Sequence, residues 1–284
     1  MSGICFFVSD LHGSFDRYKK LFAAIEDEKP RAVFLGGDLL PHHWGERLAG
    51  EDFFKEVLVP GFGSLPEKLG QAAPRVFIIL GNDDDRVCEK NFIQSEAAGL
   101  WTYAHERWGS LDSHQVVGYA YVPPTPFLLK DWERYDVSRF TDAGCVSPER
   151  GQRTVEVDPD EIRFGTIAAD LVRLTGDRDL ERTVCLFHSP PYRTDLDRAA
   201  LDGRSVDHAP LDVHVGSIAI KRFIEDRQPL LSLHGHIHES PRLTGNWRQR
   251  IGRTHAFTAA HDGPELALVR FDVDDLDNAT RELL

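Results

Sequence analysis

Sulfur is scarce in this chain of 284 residues, which has four Cys and a single Met. Cys5, Cys88, Cys145 and Cys185 form no Cys-x-x-Cys pair, which removes zinc ribbons, redox dithiols and disulfide scaffolds from consideration. Reduced, mostly buried thiols are expected instead. No apolar run approaches the roughly 18 residues of a membrane helix. Residues 4–8 are apolar but lack a basic flank and meet Asp10 too soon for a signal peptide, so the expectation is a cytoplasmic protein with no membrane partner. Basic charge is also short: 33 Lys and Arg stand against 46 Asp and Glu, for a net charge of −13. That balance disfavours a nucleic-acid partner, whose phosphate track needs clustered cations. The chain has no Gly-x-Ser-x-Gly, no Gly-Lys-Ser/Thr phosphate loop and no His-Glu-x-x-His, so serine hydrolases, nucleotide kinases and zincins have no support. What is present is an ordinary globular composition, 41% hydrophobic and 28% charged, with a surplus of 13 His.

Short apolar runs rich in β-branched and aromatic residues recur at 4–8, 32–35, 76–80, 183–187 and 229–233, and each reads as a buried strand. Helical spacing appears at Phe15, Tyr18, Leu21, Phe22 and Ile25, with Ser14 placed as N-cap, and again at Ile218, Ile220, Phe223 and Ile224. Strand, polar loop, helix, strand is the grammar of an α/β sandwich. The tail, at 255–258 and 266–273, alternates enough to suggest closing antiparallel strands. The texture changes at about 123–179, which opens with Pro123-Pro124-Thr125-Pro126 and ends in a helical run at 162–174. This stretch reads as an insertion on a single domain spanning 1–284. It either caps a site or packs on the sheet as a surface excursion.

The strand ends carry the chemistry. They deliver Ser9-Asp10-Leu11-His12-Gly13, Gly36-Gly37-Asp38, Gly81-Asn82-Asp83-Asp84, His188-Ser189-Pro190-Pro191 and His234-Gly235-His236-Ile237-His238. Open α/β sheets place their sites beyond the carboxyl ends of strands. Oxygen and imidazole ligands without thiolates suit Mn, Fe, Zn, Co or Ni. Any one of these motifs alone is more often a turn or a structural histidine. Five of them in order, each at a strand terminus, leave that explanation little room. His234 is two residues from His236 and reads as a buried structural residue. His236 and His238 would share one face of a strand, so they reach neighbouring ions only from a loop.

The ordered set resembles the calcineurin-like metallophosphoesterase superfamily, whose blocks run Asp-x-His, Gly-Asp, Gly-Asn-His-Asp/Glu, a lone His and Gly-His-x-His. The resemblance spans 9–238. It implies a four-layer α/β sandwich of two mixed β-sheets flanked by helices. It also implies one divalent ion on Asp10, His12, Asp38 and His238 and a second on Asp38, Asn82, His188 and His236, with Asp38 bridging. The implied reaction is hydrolysis of a phosphoester, with a metal-bridging hydroxide attacking phosphorus. A small phosphodiester or nucleotide is the expected substrate. The alternatives are a weakly active or inactive interaction module on the same fold, a nuclease, or a phosphomonoesterase.

One position departs from the family pattern. Much of the superfamily follows the Asn with a His that protonates the leaving group, and here the residue is Asp83. A carboxylic acid is ionised near neutrality unless its surroundings raise its pKa. Asn82 and Asp83 are thus the candidate catalytic pair, with a preference for good leaving groups. Asp84 takes the acidic position of the motif and is expected to orient ligands. His42 and Arg86 are candidate substrate contacts, since guanidinium suits phosphate geometry. The plain alternative for Arg86 is an ion pair with a neighbouring carboxylate. Trp101, Trp108 and Trp132 read as buried aromatics or as a base-stacking surface. The sequence does not fix an oligomeric state.

Overall fold

The computed structural model describes residues 3–41 and 52–284. Its frame is two mixed six-stranded sheets with helices on their outer faces. The first sheet runs β14 (Asp275–Leu283), β13 (Ala267–Asp272), β1 (Ile4–Val8), β2 (Ala32–Gly36), β3 (Arg75–Ile79) and β4 (Thr102–Tyr103). The second runs β11 (Arg248–Ile251), β12 (Thr254–Thr258), β10 (Leu231–His234), β7 (Thr183–Phe187), β6 (His114–Tyr119) and β5 (Trp108–Leu111). In each sheet four adjacent strands are parallel; β13 and β14 add an antiparallel edge to the first, and β11 and β5 close the two edges of the second. A small hairpin, β8 (Ser205–Val206) with β9 (Ala209–Pro210), lies outside both.

Period-two alternation explains the layering. Cys5 and Phe7 of β1, Phe77 and Ile79 of β3, and Val184 and Leu186 of β7 turn into the space between the sheets. Their neighbours Phe6, Val8, Val76, Ile78, Cys185 and Phe187 belong to the outer, helix-covered core. Both faces of these strands are buried, which is why the runs are continuously apolar rather than alternating with polar residues. Phe34 stacks on Phe77 at 5.1 Å, and Phe257 meets Phe271 at 6.1 Å across the two sheets. The helix α1 (Phe15–Glu28) begins where Ser14 accepts from the N–H of Arg17, and it buries Tyr18, Leu21 and Ile25. Its Phe22 packs on Phe62 of α2 (Val59–Leu69). After β3 comes α3 (Glu89–Ala97).

Two details differ from the sequence reading. The helical run expected at 162–174 is split by Gly165 into α4 (Pro159–Phe164) and α5 (Ile167–Thr175), and Thr166 caps the second piece through the N–H of Ala169. The strand expected at 255–258 lies parallel to β10, and its antiparallel partner is β11. β13 and β14 form the antiparallel edge of the first sheet. Strand direction depends on how the chain returns to the sheet, and the residues of a strand do not encode it.

Between β6 and β7 the chain makes its long excursion. Asp136, within it, accepts from Ser217 Oγ and from the N–H groups of Ile218 and Ala219 at the start of α6 (Ile218–Arg227), which places a negative charge at a helix N-terminus. Trp132 donates its indole N–H to the carbonyl of Asp84. The Trp132 bond ties the excursion to the loop after β3, and the Asp136 bonds tie it to the start of α6. A last helix, α7 (Ser240–Thr244), follows β10. No helix among the described residues is long and apolar enough to cross a membrane.

Candidate metal centre

Each motif begins where a parallel strand stops, and the loops are bound to one another by main-chain hydrogen bonds. The N–H groups of Asp10, His12 and Gly13 donate to the carbonyls of Gly37, Asp38 and Leu39 at 2.9, 2.8 and 3.0 Å. That register holds Asp10, His12 and Asp38 in the left-handed region, with φ of 56°, 45° and 54°. His236 is there too, at 74°. Asp, Asn and His tolerate this region better than other side chains, and strain kept at four neighbouring polar residues points to a use for their placement. Glycine is required beneath them. A Cβ on Gly81 would sit 2.3 Å from Asp38 Oδ1 and 2.7 Å from His188 Cε1.

Two groups of polar atoms result. Asp10, His12, Asp38 and His238 each offer a ligand atom, all within 4.8 Å of one another, and Asp38, His188 and His236 form a second such group. Asp38 is in both. In the first group His238 Nε2 lies 3.3 Å from Asp10 Oδ1 and 3.1 Å from His12 Nε2. In the second, His188 Nε2 lies 3.2 Å from Asp38 Oδ2 and 3.0 Å from Asn82 Oδ1. His188 Nδ1 is 2.7 Å from the Gly36 carbonyl. With a proton on that nitrogen, the Nε2 lone pair faces the cluster. β10 ends at His234, so His236 and His238 sit on a loop that sends them to different groups. His234 itself is fully buried, with its two nitrogens at 2.9 Å from Ser189 O and Ser232 Oγ.

Asp84 joins the ligand loops from beneath. Its buried carboxylate accepts from the N–H groups of Leu39, Leu40 and Gly81 at 2.8–3.1 Å. Asp83 N–H donates to Asp38 Oδ1 at 2.8 Å, and Asp83 Oδ2 is 3.8 Å from His12 Nδ1.

The electrostatics follow from crowding. Burial alone would raise Asp10 and Asp38, but the imidazoles beside them, His238 and His188 foremost, hold both well below the usual carboxylate range. Burial disfavours charge on His188 and His238 too, and the same two carboxylates overcome it and lift them to about 10 and about 9. His236 is pulled down to about 3 by burial and by the charge of His188. Asp83 and Asp84 are pushed up to about 8 and about 7 by burial and then by Asp38. The donor set fits divalent cations: two carboxylates and four imidazoles converge in the two groups, with no thiolate.

A family model for calcineurin-like phosphoesterase matches residues 6–240. The chain belongs to the calcineurin-like phosphoesterase family. No curated protein matches it. Among solved structures, one crystal structure covers 100% of this chain and 99% of its own at 14% identity and a TM-score of 0.59. The TT1561 protein of Thermus thermophilus follows at 13% identity, coverage of 99% and 98%, and a TM-score of 0.55. A dimetal phosphatase from Danio rerio has 13% identity, coverage of 94% and 91%, and a TM-score of 0.49. At these identities the likeness to the first two is one of fold.

Within this family frame the remaining candidates separate. His42 lies outside the described residues. Arg86 has its Nε 3.4 Å from Glu89 and its guanidinium over the rings of Trp132 and Tyr121. Trp101 packs among Phe54, Phe62 and Phe92, and the Trp108 N–H donates to Leu174 O, so the three tryptophans form no common surface. Ser9 and Arg17 escaped the sequence reading. Ser9 Oγ donates to Asp10 Oδ2, and the Arg17 guanidinium spans the carbonyls of Asp10 and Gly263. Ser9 had a weak signal in preceding Asp10, whereas Arg17 reads as an ordinary first-turn helix residue.

Proposed function

We propose that this protein is a dinuclear metal-dependent phosphodiesterase for a small phosphodiester or nucleotide. Phosphoester hydrolysis is the chemistry of its family, which depends on two metal ions. The observation that carries the assignment to this chain is that Asp38 is common to both ligand groups, as a bridging carboxylate must be. Asp10, His12, Asp38 and His238 would hold one ion, and Asp38, Asn82, His188 and His236 the other. When bound, the two cations supply Lewis-acid charge for activating water and neutralising phosphoryl oxygens. The protein contributes placement: Gly36 fixes the ring of His188, Ser9 and the N–H of His236 hold the two oxygens of Asp10, and Asp84 clamps the loops. In this reading 1–284 is one domain, with 123–179 inserted between β6 and β7.

The preference for diesters rests on the residue at position 83. With the two cations bound beside it, Asp83 would be drawn back from its raised pKa of about 8 and held as a carboxylate in the place of an imidazolium donor, so leaving groups that need no proton would be favoured. A monoester also carries a second negative charge near neutral pH, and Asp83 repels it. Elemental analysis, with turnover of an aryl phosphodiester and an alkyl phosphomonoester side by side in added Mn, tests both levels. The expectation is about two ions per chain and faster diester cleavage. Equal or faster monoester cleavage removes the preference, and absence of metal together with absence of metal-stimulated turnover removes the enzyme. Asp83→His should raise the alkyl monoester rate by about 10-fold or more, since a placed general acid contributes on that scale or above.

A further inference from the structure

The first turn of α1 sends one long side chain back toward the metal centre. Arg17 is half-buried, and all three of its guanidinium nitrogens donate to main-chain carbonyls: Nη1 to Asp10, Nη2 to Gly263 and Nε to Pro264. No carboxylate bonds it among the described residues. Partial burial of a guanidinium is unfavourable, and here it is offset by several bonds at the fixed angles of a planar fork.

The carbonyls it holds belong to two segments that flank the ligands of the first group. Asp10 is fixed at four points. Its N–H donates to the Gly37 carbonyl, Ser9 Oγ and the His236 N–H donate to its two carboxylate oxygens, and Arg17 donates to its C=O. Its φ of 56° is one that Asp keeps only where the surroundings impose it. Gly263 and Pro264 lie on the connection from β12 to β13. That connection is anchored on both sides of the loop carrying His236 and His238: the Ala259 N–H donates to the His234 carbonyl at 3.2 Å, and Asp262 pairs with Arg242 of α7 at 2.8 Å. Arg17 therefore joins a ligand loop of the first sheet to the connection beside a ligand loop of the second. Between these loops His238 Nε2 stands 3.3 Å from Asp10 Oδ1.

We infer that Arg17 is a positioning residue for the ion expected on Asp10, His12, Asp38 and His238, its fork setting the direction of the Asp10 peptide and so of the carboxylate that faces His238. The role rests on the dinuclear reading of the site. Charge alone acts in the opposite sense, since a guanidinium beside the site repels a divalent cation. Lysine would keep that charge but has no fixed fork with which to hold carbonyls of separate segments at set angles.

Chelator competition with Mn on the full chain gives the dissociation constants of the ions, and denaturant unfolding of the metal-free chains reports on the fold. The wild type should take about two ions. Arg17→Gln and Arg17→Lys should each weaken one of them by about 10-fold or more and change the other much less. Millimolar ethylguanidine should restore part of the loss in Arg17→Ala and none in Asp10→Asn. Binding by Arg17→Gln that is unchanged or tighter overturns the role, because a pure charge effect has that sign. Equal weakening of both ions, in step with a lower unfolding midpoint and unanswered by ethylguanidine, also overturns it, since that is loss of fold. A wild type that takes up no divalent ion removes the metal reading and the role together, whereas two ions held equally well by wild type and Arg17→Gln remove the role alone.

Discussion

At Lys130 and Glu133 the fold buries an ammonium and a carboxylate that answer each other, whereas at the strand ends it gathers Asp10, Asp38 and four imidazoles into two overlapping groups. In the first region every strong donor meets an acceptor. Lys130 Nζ also donates to the Thr125 carbonyl, and Thr125 returns two bonds to Glu133. Charge is cancelled inside the protein, and the result is a fixed corner in the excursion. In the second region the acceptors face one another across a few ångströms and are held apart only by imidazoles that burial would prefer neutral. Burying like-natured groups this closely is costly unless an outside charge completes them. A closed set of partners marks structure, and an incomplete set marks a binding site.

Substitution can break each side of this contrast. Asp38→Asn removes the carboxylate shared by both ligand groups and should lower phosphodiester turnover by about 10³-fold, several kcal/mol of lost charge stabilisation, with fewer ions per chain by elemental analysis. Lys130→Met leaves Glu133 buried without its cation and should cost about 3–5 kcal/mol in denaturant unfolding. Replacing Lys130 and Glu133 together by apolar residues should recover much of that, because no lone charge remains. Asp84→Asn turns an amide toward three N–H donors that need acceptors, so metal affinity should fall about 10- to 100-fold in a chelator competition while the fold persists.

The smallest effect concerns His105, which belongs to neither class. Its Nδ1 accepts from the N–H of Ala120 at 3.0 Å, while Glu106 stands 4.0 Å from Nε2. Burial, then Arg86, Arg134, Arg107 and Arg173, holds its pKa well below the ordinary value, so the folded ring stays neutral. As pH falls through about 6.5 the unfolded chain takes up a proton that the folded one refuses, and stability drops by at most about 1.4 kcal/mol per pH unit. His105→Gln keeps the acceptor and should flatten the stability profile between about pH 6.5 and 5, by up to about 2 kcal/mol at the acid end. An unchanged slope would show that the ring is already charged in the fold.

Much of this protein was legible from its residues. Buried strands announce themselves because a segment covered on both faces must be apolar throughout, and 4–8 and 183–187 coincide with β1 and β7. Helix starts were legible at Ser14, where the capping hydroxyl is local to the helix it caps. The break at Gly165 was not, because apolar spacing continues across it and only the bond from Ile167 N–H to Tyr135 O shows the turn. The orientation of Arg86 was equally hidden, since its rings come from residues 35 and 46 positions further on, Tyr121 and Trp132.

The sequence by itself determined the residue types at each strand end, their order, and the α/β layering, since these depend on local pattern and on which side chains bear ligand atoms. Tertiary structure alone decided which atoms meet. His236 and His238 part only because β10 stops at His234, and Asp38 enters both groups only because parallel strands of two sheets end side by side. The scarcity of basic charge excluded partners at first. In the folded protein Arg86, Lys130, Arg134 and Arg153 meet around one small cavity, brought together by a long connection whose packing no local rule encodes.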